Sequence, residues 1–490
     1  MMKHHEFLSK LLFAIGVFFL STSYGQSPVA LRFDPSKFVA QSQELNGKTI
    51  KVRAYEKIVY VSNPVDTAYQ VMNIYIPEEY FNGGSINGYT AQTAPLFFPN
   101  KVGGYTPALP ATFKNSPQRG PMPGGNQISS VLVALSKGYV VASAGARGRI
   151  SPQGKAPAGI VDLKAAVRYL KANDATIPGD ANKIISNGTS AGGAMSTLLG
   201  ATGNHPDYEP YLKALGAANA TDNIFAVSAY CPIINLENAD MAYEWQLNKI
   251  HTFKFRGKEG TLDAVALKVS EELKNAFPKY VNGLNLKDNA GKKLELNAQG
   301  EGNFKEYVKS FLAASAQKAL TAGVDVSKYG FLQIKDGQVQ SVDYDGYMQY
   351  LERMKTPPAF DALDNSSPEN QLFGSATVDK RHFTPFALHY APNTLSSMAD
   401  ALQIKMMNPM NYIGAKGAKT ATYWRVRHGA KDKDTSFSIP VLLATTLKNK
   451  GFKINFALPW DRPHSGDYDL DELFEWADSI CSPPSPHWGS

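Results

Sequence analysis

The chain has 490 residues, of which 43% are apolar and 19% are charged, with a formal net charge of +7. This balance excludes a globally disordered chain, because enough apolar residues are present to build a large core. The mild positive charge comes without a dense run of lysine or arginine, so we expect no nucleic-acid partner.

The first 25 residues have the pattern of a secretory signal peptide. Lys3 and Lys10 give a basic start, 11–20 is apolar, and small residues precede Gln26. The apolar run is too short to span a bilayer, which disfavours the alternative of a retained membrane anchor. We therefore predict an exported protein, periplasmic or secreted, with no membrane association after cleavage of 1–25.

Strands and helices alternate along the next part of the chain. Strands are predicted at 48–61, 71–77, 95–99, 139–143, 183–187 and 224–230, and helices at 129–137, 160–170 and 191–199. The first two strands form an antiparallel start. The later alternation indicates a mostly parallel sheet with helices on both faces, which is an α/β class fold.

A polar segment, 235–400, interrupts this alternation and contains helical stretches at 262–276 and 304–323. The alternation resumes with strands at 420–427 and 452–459 and helices at 437–449 and 470–480. We therefore predict a catalytic domain made of 26–234 and 401–490, with 235–400 inserted as a lid.

The segment Gly188-Thr189-Ser190-Ala191-Gly192 fits the G-x-S-x-G pattern of a nucleophilic serine. A serine on a tight strand-to-helix turn needs neighbours without side chains. Here the pattern follows a predicted strand and precedes a predicted helix, as that turn requires. Ser190 is the candidate nucleophile; the alternative is a glycine-rich helix start without chemistry.

A serine hydroxyl needs a base to take its proton, and in such folds the acid and the histidine follow in the order Ser, Asp, His. Asp432 follows one late strand and His464 follows the last one. His428 competes for the role of base, but it precedes the candidate acid, which is the wrong order. The alternative for each partner is a surface loop residue.

An oxyanion hole requires backbone N–H groups directed at the developing charge. We expect one from Ala191, directly after the nucleophile, and one from Gly104 in the loop after the strand at 95–99. Gly103 and Gly104 let the backbone approach a substrate closely. The alternative for this loop is an ordinary turn.

Cys231 and Cys481 are the only cysteines, and the sequence leaves open whether they form a disulfide. No Cys/His cluster indicates a structural zinc site. We expect neither a metal nor a cofactor.

Four segments together resemble the bacterial tannases (tannin acyl hydrolases) of the α/β-hydrolase fold. They are PLFFPNKVGGY at 95–105, GTSAGG at 188–193, RHGAKDKDTS at 427–436 and PHSGD at 463–467. The last two are the most distinctive. Fungal tannase-like esterases join a cysteine beside the nucleophile to one beside the histidine, whereas Thr189 and Ser465 stand there in this chain.

The resemblance implies the triad Ser190, Asp432 and His464. It also implies that Lys355, Glu369 and Asp434 bind the hydroxyls of a galloyl ring, and that Gly104 and Ile233 line the pocket, where we also place Gly103. The alternatives are that Asp434 caps the helix beginning near 437, and that Lys355 and Glu369 are solvated lid residues.

The function implied is hydrolysis of galloyl esters of tannins to gallic acid and an alcohol through an acyl-enzyme, with a small-molecule ester as partner. One alternative is a feruloyl or other carboxylic ester hydrolase of the same fold. The other is a catalytically inactive hydrolase-like binding protein. The sequence predicts no oligomeric state.

Overall fold

A computed structural model describes residues 31–114, 128–255 and 257–481, so the predicted signal peptide at 1–25 lies outside the described residues. The strands are β1 (Val39–Leu45), β2 (Lys48–Val59), β3 (Val71–Pro77), β4 (Pro95–Pro99), β5 (Val140–Ala144), β6 (Asp180–Thr189), β7 (Ala226–Tyr230), β8 (Thr252–Phe255), β9 (Lys258–Thr261), β10 (Leu332–Lys335), β11 (Gln338–Val342), β12 (Tyr423–Arg427) and β13 (Lys453–Ala457).

The helices, besides short 3-10 turns, are α1 (Ser130–Ser136), α2 (Ala158–Ala172), α3 (Ala191–Ala201), α4 (Glu209–Ala214), α5 (Leu236–Leu247), α6 (Ala264–Gly283), α7 (Asn303–Thr321), α8 (Tyr344–Leu351), α9 (Pro368–Leu372), α10 (Pro385–His389), α11 (Ala401–Met406), α12 (Ser438–Asn449) and α13 (Leu470–Cys481).

A large sheet with the order β1-β2-β3-β5-β4-β6-β7-β12-β13 forms the centre of the fold. Pairing is antiparallel from β1 through β3 to β5 and parallel from β5 through to β13. All residues of β3, β4, β5 and β7 are buried, so the centre of the sheet is covered on both faces. The predicted α/β class and its antiparallel start are confirmed.

The carboxyl ends of four neighbouring strands meet at one edge of this sheet. Ser190 follows β6, Cys231 follows β7, Asp432 lies in the loop after β12, and His464 lies in the loop after β13. In open α/β sheets this edge is where ligands bind. Residues far apart in sequence are therefore brought together by strand order.

The segment between β7 and β12 contains α5 to α11 and the hairpins β8–β9 and β10–β11. The helical stretches predicted at 262–276 and 304–323 are confirmed as α6 and α7. The hairpins and the short helices were not predicted. The predicted lid limits, 235–400, stay a prediction.

A buried ion pair joins two parts of this inserted segment. The Arg353 guanidinium donates to both carboxylate oxygens of Glu244 on α5, at 2.8 and 2.6 Å, and neither side chain is exposed. Arg353 also donates to the carbonyls of Ile250 and Leu247. The pair therefore fastens the chain after α8 to α5.

We predict that Arg353→Met lowers the free energy of unfolding by about 3–5 kcal/mol, because it leaves the buried Glu244 carboxylate without its partner. Urea-induced unfolding of the mature protein measures this. The control is Lys318→Met, which removes an exposed pair with Glu472 at 3.0 Å and should cost about 1 kcal/mol or less. Equal losses for the two variants would contradict the prediction.

Candidate active site

Ser190 occupies a strained turn between β6 and α3. Its backbone has φ 61° and ψ −122°, and its N–H donates to the Tyr230 carbonyl at 3.0 Å. A non-glycine residue in such a conformation costs about 1–3 kcal/mol and persists only where the surroundings impose it. This is the geometry of a nucleophile elbow, in which the hydroxyl projects at the carboxyl edge of the sheet.

Asn100 and two glycines make this turn possible. A Cβ added at Gly188 would lie 2.2 Å from the Gly192 carbonyl oxygen, and one at Gly192 would lie 2.8 Å from Asn100 Oδ1. The Asn100 amide donates to the Gly192 carbonyl at 3.0 Å and to Ser196 Oγ at 3.1 Å. Sequence reasoning identified the glycines but missed Asn100, which lies directly after β4.

Asp432 and His464 form the acid–imidazole pair that the sequence predicts. His464 Nδ1 lies 2.7 Å from Asp432 Oδ2, and the other oxygen of Asp432 accepts the Asp434 N–H at 2.9 Å. Burial works to raise the pKa of Asp432, but the neighbouring histidines and the hydrogen bonds from His464 and the Asp434 N–H together outweigh burial and lower that pKa to about 2. Burial works to lower the pKa of His464, but the charges and hydrogen bonds of Asp432 and Cys231 together outweigh burial and raise that pKa well above 6.5.

His464 Nε2 faces Asp434 and Cys231 in this conformation. It lies 3.4 Å from Asp434 Oδ2 and 3.9 Å from Cys231 Sγ. Within the described part of the chain, no hydrogen bond joins Nε2 to Ser190 Oγ. Catalytic hydrogen bonds of this type often tighten only when substrate is bound.

Cys231, Asp432 and His464 offer ligand atoms within 4.8 Å of one another, so they are the group in which a metal could be considered. Asp432 occupies Nδ1 of His464, which leaves only Nε2 and the Cys231 thiol facing each other. Cys231 Sγ also donates to the Ser465 carbonyl at 3.4 Å, and burial raises the pKa of this thiol. The expectation of no metal stays a prediction.

The two cysteines are free and buried, which answers the question that the sequence left open. Cys231 lies at the end of β7, whereas Cys481 is the last residue of α13. The carboxyl edge of the sheet is therefore held without a disulfide between them.

The glycine loop after β4 lies beside the elbow. Gly104 has φ 53°, and its carbonyl accepts Arg149 Nε at 2.7 Å. The Tyr105 hydroxyl donates to the Ile233 carbonyl at 2.6 Å, and the Ile233 N–H donates to the Ser190 carbonyl at 3.2 Å. The hydrogen bonds of Tyr105 and Ile233 thus hold Ile233, and the loop that contains Gly104, near Ser190. Sequence reasoning missed Tyr105 and Arg149.

Ala191 begins α3, and Gly104 lies in the loop that faces it. The first N–H groups of a helix have no acceptor inside that helix. Among the described residues, the Gly104 N–H also has no hydrogen-bond acceptor. Amides without an acceptor are what an oxyanion hole requires, and the role of these two stays a prediction.

Three charged side chains from the inserted segment and the β12 loop, Lys355, Glu369 and Asp434, lie close enough for their charges to act on one another. Lys355 Nζ lies 2.6 Å from Asp434 Oδ1 and 3.9 Å from the centre of the Phe360 ring. Glu369 is 9% exposed; burial raises its pKa, and the Lys355 charge opposes that rise. One cation, two carboxylates and an aromatic face are therefore grouped beside the loop that carries Asp432.

The two alternatives for these residues are wrong. Phe437 is the N-cap residue of α12 and makes no side-chain cap, so Asp434 does not cap that helix. The side chain of Lys355 is only 17% exposed and Glu369 is buried, so neither is a solvated lid residue.

Comparison with known proteins places this arrangement in a family. A family model described as BD-FAE matches residues 122–281. The crystal structure of Fusobacterium nucleatum tannase is 49% identical, with a TM-score of 0.88, over 92% of this chain and 100% of that one. Tannin acyl hydrolase from Lactobacillus plantarum is 47% identical, with a TM-score of 0.87, over 92% and 99% of the two chains.

The chain belongs to the bacterial tannases. Esterase LipC of Mycobacterium tuberculosis is also similar, with 35% identity over 79 residues. That match spans 16% of this chain and about a fifth of the curated esterase, 19% of its length. The tannase relatives therefore carry the assignment.

In this bacterial tannase the loop that carries His464 packs directly against the turn that carries Ser190. A Cβ added at Gly466 would lie 1.9 Å from Thr189 Oγ1, so the backbone beside His464 lies directly against the residue beside Ser190. The Cys231 thiol on the Ser465 carbonyl adds a second contact. The close approach of the Gly466 backbone to Thr189 therefore occupies the position at which the fungal enzymes have a disulfide.

We predict that Gly466→Ala lowers kcat for ester hydrolysis about 100-fold, because the added methyl group displaces His464 from Ser190. Steady-state kinetics measure this. Gly330→Ala is the control, since a Cβ there meets nothing within 4 Å. Thr189→Ala in the Gly466→Ala background should restore part of the activity, and full activity of Gly466→Ala alone would contradict the packing explanation.

Proposed function

We propose that this tannase is a serine esterase that hydrolyses galloyl esters of tannins to gallic acid and an alcohol. The observation that carries the proposal is the ion pair between Lys355 and Asp434 at 2.6 Å. Asp434 follows Asp432 by two residues in the chain, and Asp432 is the carboxylate that binds His464. We propose that these charged groups bind several substrate hydroxyls beside the acid–histidine pair; the 3.4 Å between Asp434 Oδ2 and His464 Nε2 supports this.

In the proposed reaction Ser190 Oγ attacks the ester carbonyl carbon while His464 Nε2 takes the hydroxyl proton. Asp432 stabilises the resulting imidazolium, and the amides of Ala191 and Gly104 bind the negatively charged oxygen. The C–O bond to the alcohol breaks, and His464 returns the proton to that oxygen. Water, deprotonated by His464, then attacks the acyl carbon, and the bond from that carbon to Ser190 Oγ breaks. His464 returns the proton to Ser190 Oγ, so the acid leaves and the serine hydroxyl is restored.

The groups of the pocket match the chemistry of a galloyl ring. Carboxylates of Glu369 and Asp434 can accept phenolic protons, and Lys355 can donate to a phenolic oxygen. Gly103 and Ile233 are proposed to line the ring. A site that pairs its polar groups with substrate hydroxyls rejects analogues lacking them by roughly 10⁴–10⁵-fold, because those groups are then left unpaired.

Related structures support the choice of substrate. A tannin acyl hydrolase that is 47% identical has been solved in complex with ethyl gallate, and another structure of such an enzyme contains 3,4-dihydroxybenzoate. The proposed mechanism uses only side chains and amides of the chain itself, so we propose that it needs neither metal nor cofactor.

We predict that the mature protein strongly prefers methyl gallate over methyl ferulate and p-nitrophenyl acetate. Glu369→Gln and Lys355→Met should each lower kcat/KM for methyl gallate about 10- to 100-fold, because a charged hydrogen bond contributes about 1.5–3 kcal/mol. The same variants should lose far less on the acetate, which presents no ring hydroxyls. Parallel kinetics on the three esters measure this.

Each of the two alternative functions predicts a different result in this experiment. Hydrolysis of the ferulate or the acetate with none of the gallate would point to another carboxylic ester hydrolase of the same fold. Failure of a fluorophosphonate to label Ser190 would point to a catalytically inactive binding protein. Ser190→Ala is the control for background hydrolysis and should be inactive.

We predict that the acid limb of the kcat/KM pH profile lies above pH 6.5. His464 accepts the serine proton only when neutral, and Asp432 raises its pKa well above that value, so activity rises as the pH passes through the raised pKa. Asp432→Asn should move the limb to lower pH and reduce kcat about 10⁴-fold. A wild-type limb below pH 6.5 would contradict the prediction.

We propose further that the protein is exported, on the basis of the signal-like pattern at 1–25. Across residues 31–114, 128–255 and 257–481, the structure contains no helix long and apolar enough to cross a bilayer. N-terminal sequencing of protein recovered from the periplasm and the medium tests the proposal, with Gln26 as the expected first residue.

A further inference from the structure

His428 is a fully buried histidine beside the acid of the triad. It follows β12 directly, and its backbone N–H donates to the Ala457 carbonyl at 3.2 Å. Neither ring nitrogen has a hydrogen-bond partner among the described residues. A buried polar side chain without partners is costly, so its presence at this position calls for a role.

This imidazole lies beside Asp432, the acid of the proposed triad. His428 Nδ1 lies 3.8 Å from Asp432 Oδ2, the same oxygen that lies 2.7 Å from His464 Nδ1. The charged and titratable groups that act on His428 are Asp432, Asp434 and His464. Burial is the largest influence and lowers the pKa of His428, so the ring is neutral and carries a single N–H.

We propose that His428 is a positioning residue of the triad, whose ring N–H supplies a further donor to Asp432 Oδ2. The inference rests on the proposed function, because it assigns His428 a part in the serine–histidine chemistry. A closer approach of about 1 Å turns the present contact into a hydrogen bond.

Such a donor has a defined effect on the reaction. Oδ1 of Asp432 already accepts the Asp434 N–H, and Oδ2 already accepts a hydrogen bond from His464. The ring N–H of His428 would give Oδ2 a second donor and so fix the orientation of the carboxylate. Its N–H dipole also places positive charge near the site of the imidazolium, which works against protonation of His464. His428 thus keeps Asp432 oriented and His464 neutral over a wider pH range.

The test compares His428→Phe with His428→Asn. Phenylalanine preserves most of the volume but removes the N–H, whereas the asparagine amide nitrogen takes the place of Nδ1. The measurement is the rate of Ser190 labelling by a fluorophosphonate across pH, together with the midpoint of thermal unfolding. Labelling requires the triad but no particular ester, so the result does not depend on gallate specificity.

We expect His428→Phe to slow labelling about 10-fold and to move its acid limb upward by about half a pH unit or more. His428→Asn should restore both the rate and the limb. The matched control is His382→Phe, because His382 is another fully buried histidine, 2.8 Å from Asp361; this variant should lower thermal stability without moving the limb.

Two results would overturn the proposal. An unshifted limb in His428→Phe would show that the ring only fills space, and a His428→Asn variant that matches His428→Phe would show that the donor is irrelevant. Wild-type protein that is not labelled at all would overturn the proposed function together with this inference. Labelling without gallate hydrolysis would overturn the substrate assignment alone.

Discussion

The buried carboxylate of Asp432 is the interaction on which the candidate site depends. One oxygen lies 2.7 Å from His464 Nδ1, and the other accepts the N–H of Asp434 at 2.9 Å, while the residue is 1% exposed. Because Asp434 in turn binds Lys355 of the inserted segment, the carboxylate of Asp432 connects His464 to the proposed substrate-binding residues. The proposed catalytic and recognition groups therefore share one set of contacts.

Burial of charge is the second constraint on this architecture. An ionised side chain removed from water needs a partner of opposite charge. In the inserted segment two cations that lie close in sequence, Arg353 and Lys355, are such partners for Glu244 and Asp434. The Arg353–Glu244 pair anchors that stretch, and the Tyr243 hydroxyl accepts the N–H of Lys355 at 3.1 Å. Lys355 thereby reaches Asp434 from a backbone that is already held in place.

Much of the fold could be predicted from the sequence because its signals are local. The strands that build the sheet around the elbow are short apolar runs between turns, and the predicted ones agree with β2 to β7, β12 and β13 within a few residues. β1 and the hairpins β8–β9 and β10–β11 escaped prediction, since their strands are exposed and carry no such apolar run. Asn100, Arg149 and Tyr105 were missed because their partners lie far away in sequence.

By itself, the sequence determined the α/β class, the serine on its glycine-flanked turn, and the order of serine, acid and histidine. These properties depend on periodicity and on backbone freedom, which neighbouring residues impose. The tertiary structure alone decided that the two cysteines form no disulfide, that Gly466 packs against Thr189, and that His428 lies 3.8 Å from Asp432. Such contacts follow from strand order and side-chain packing across the sheet edge, and no local pattern encodes the distance between residues that meet there.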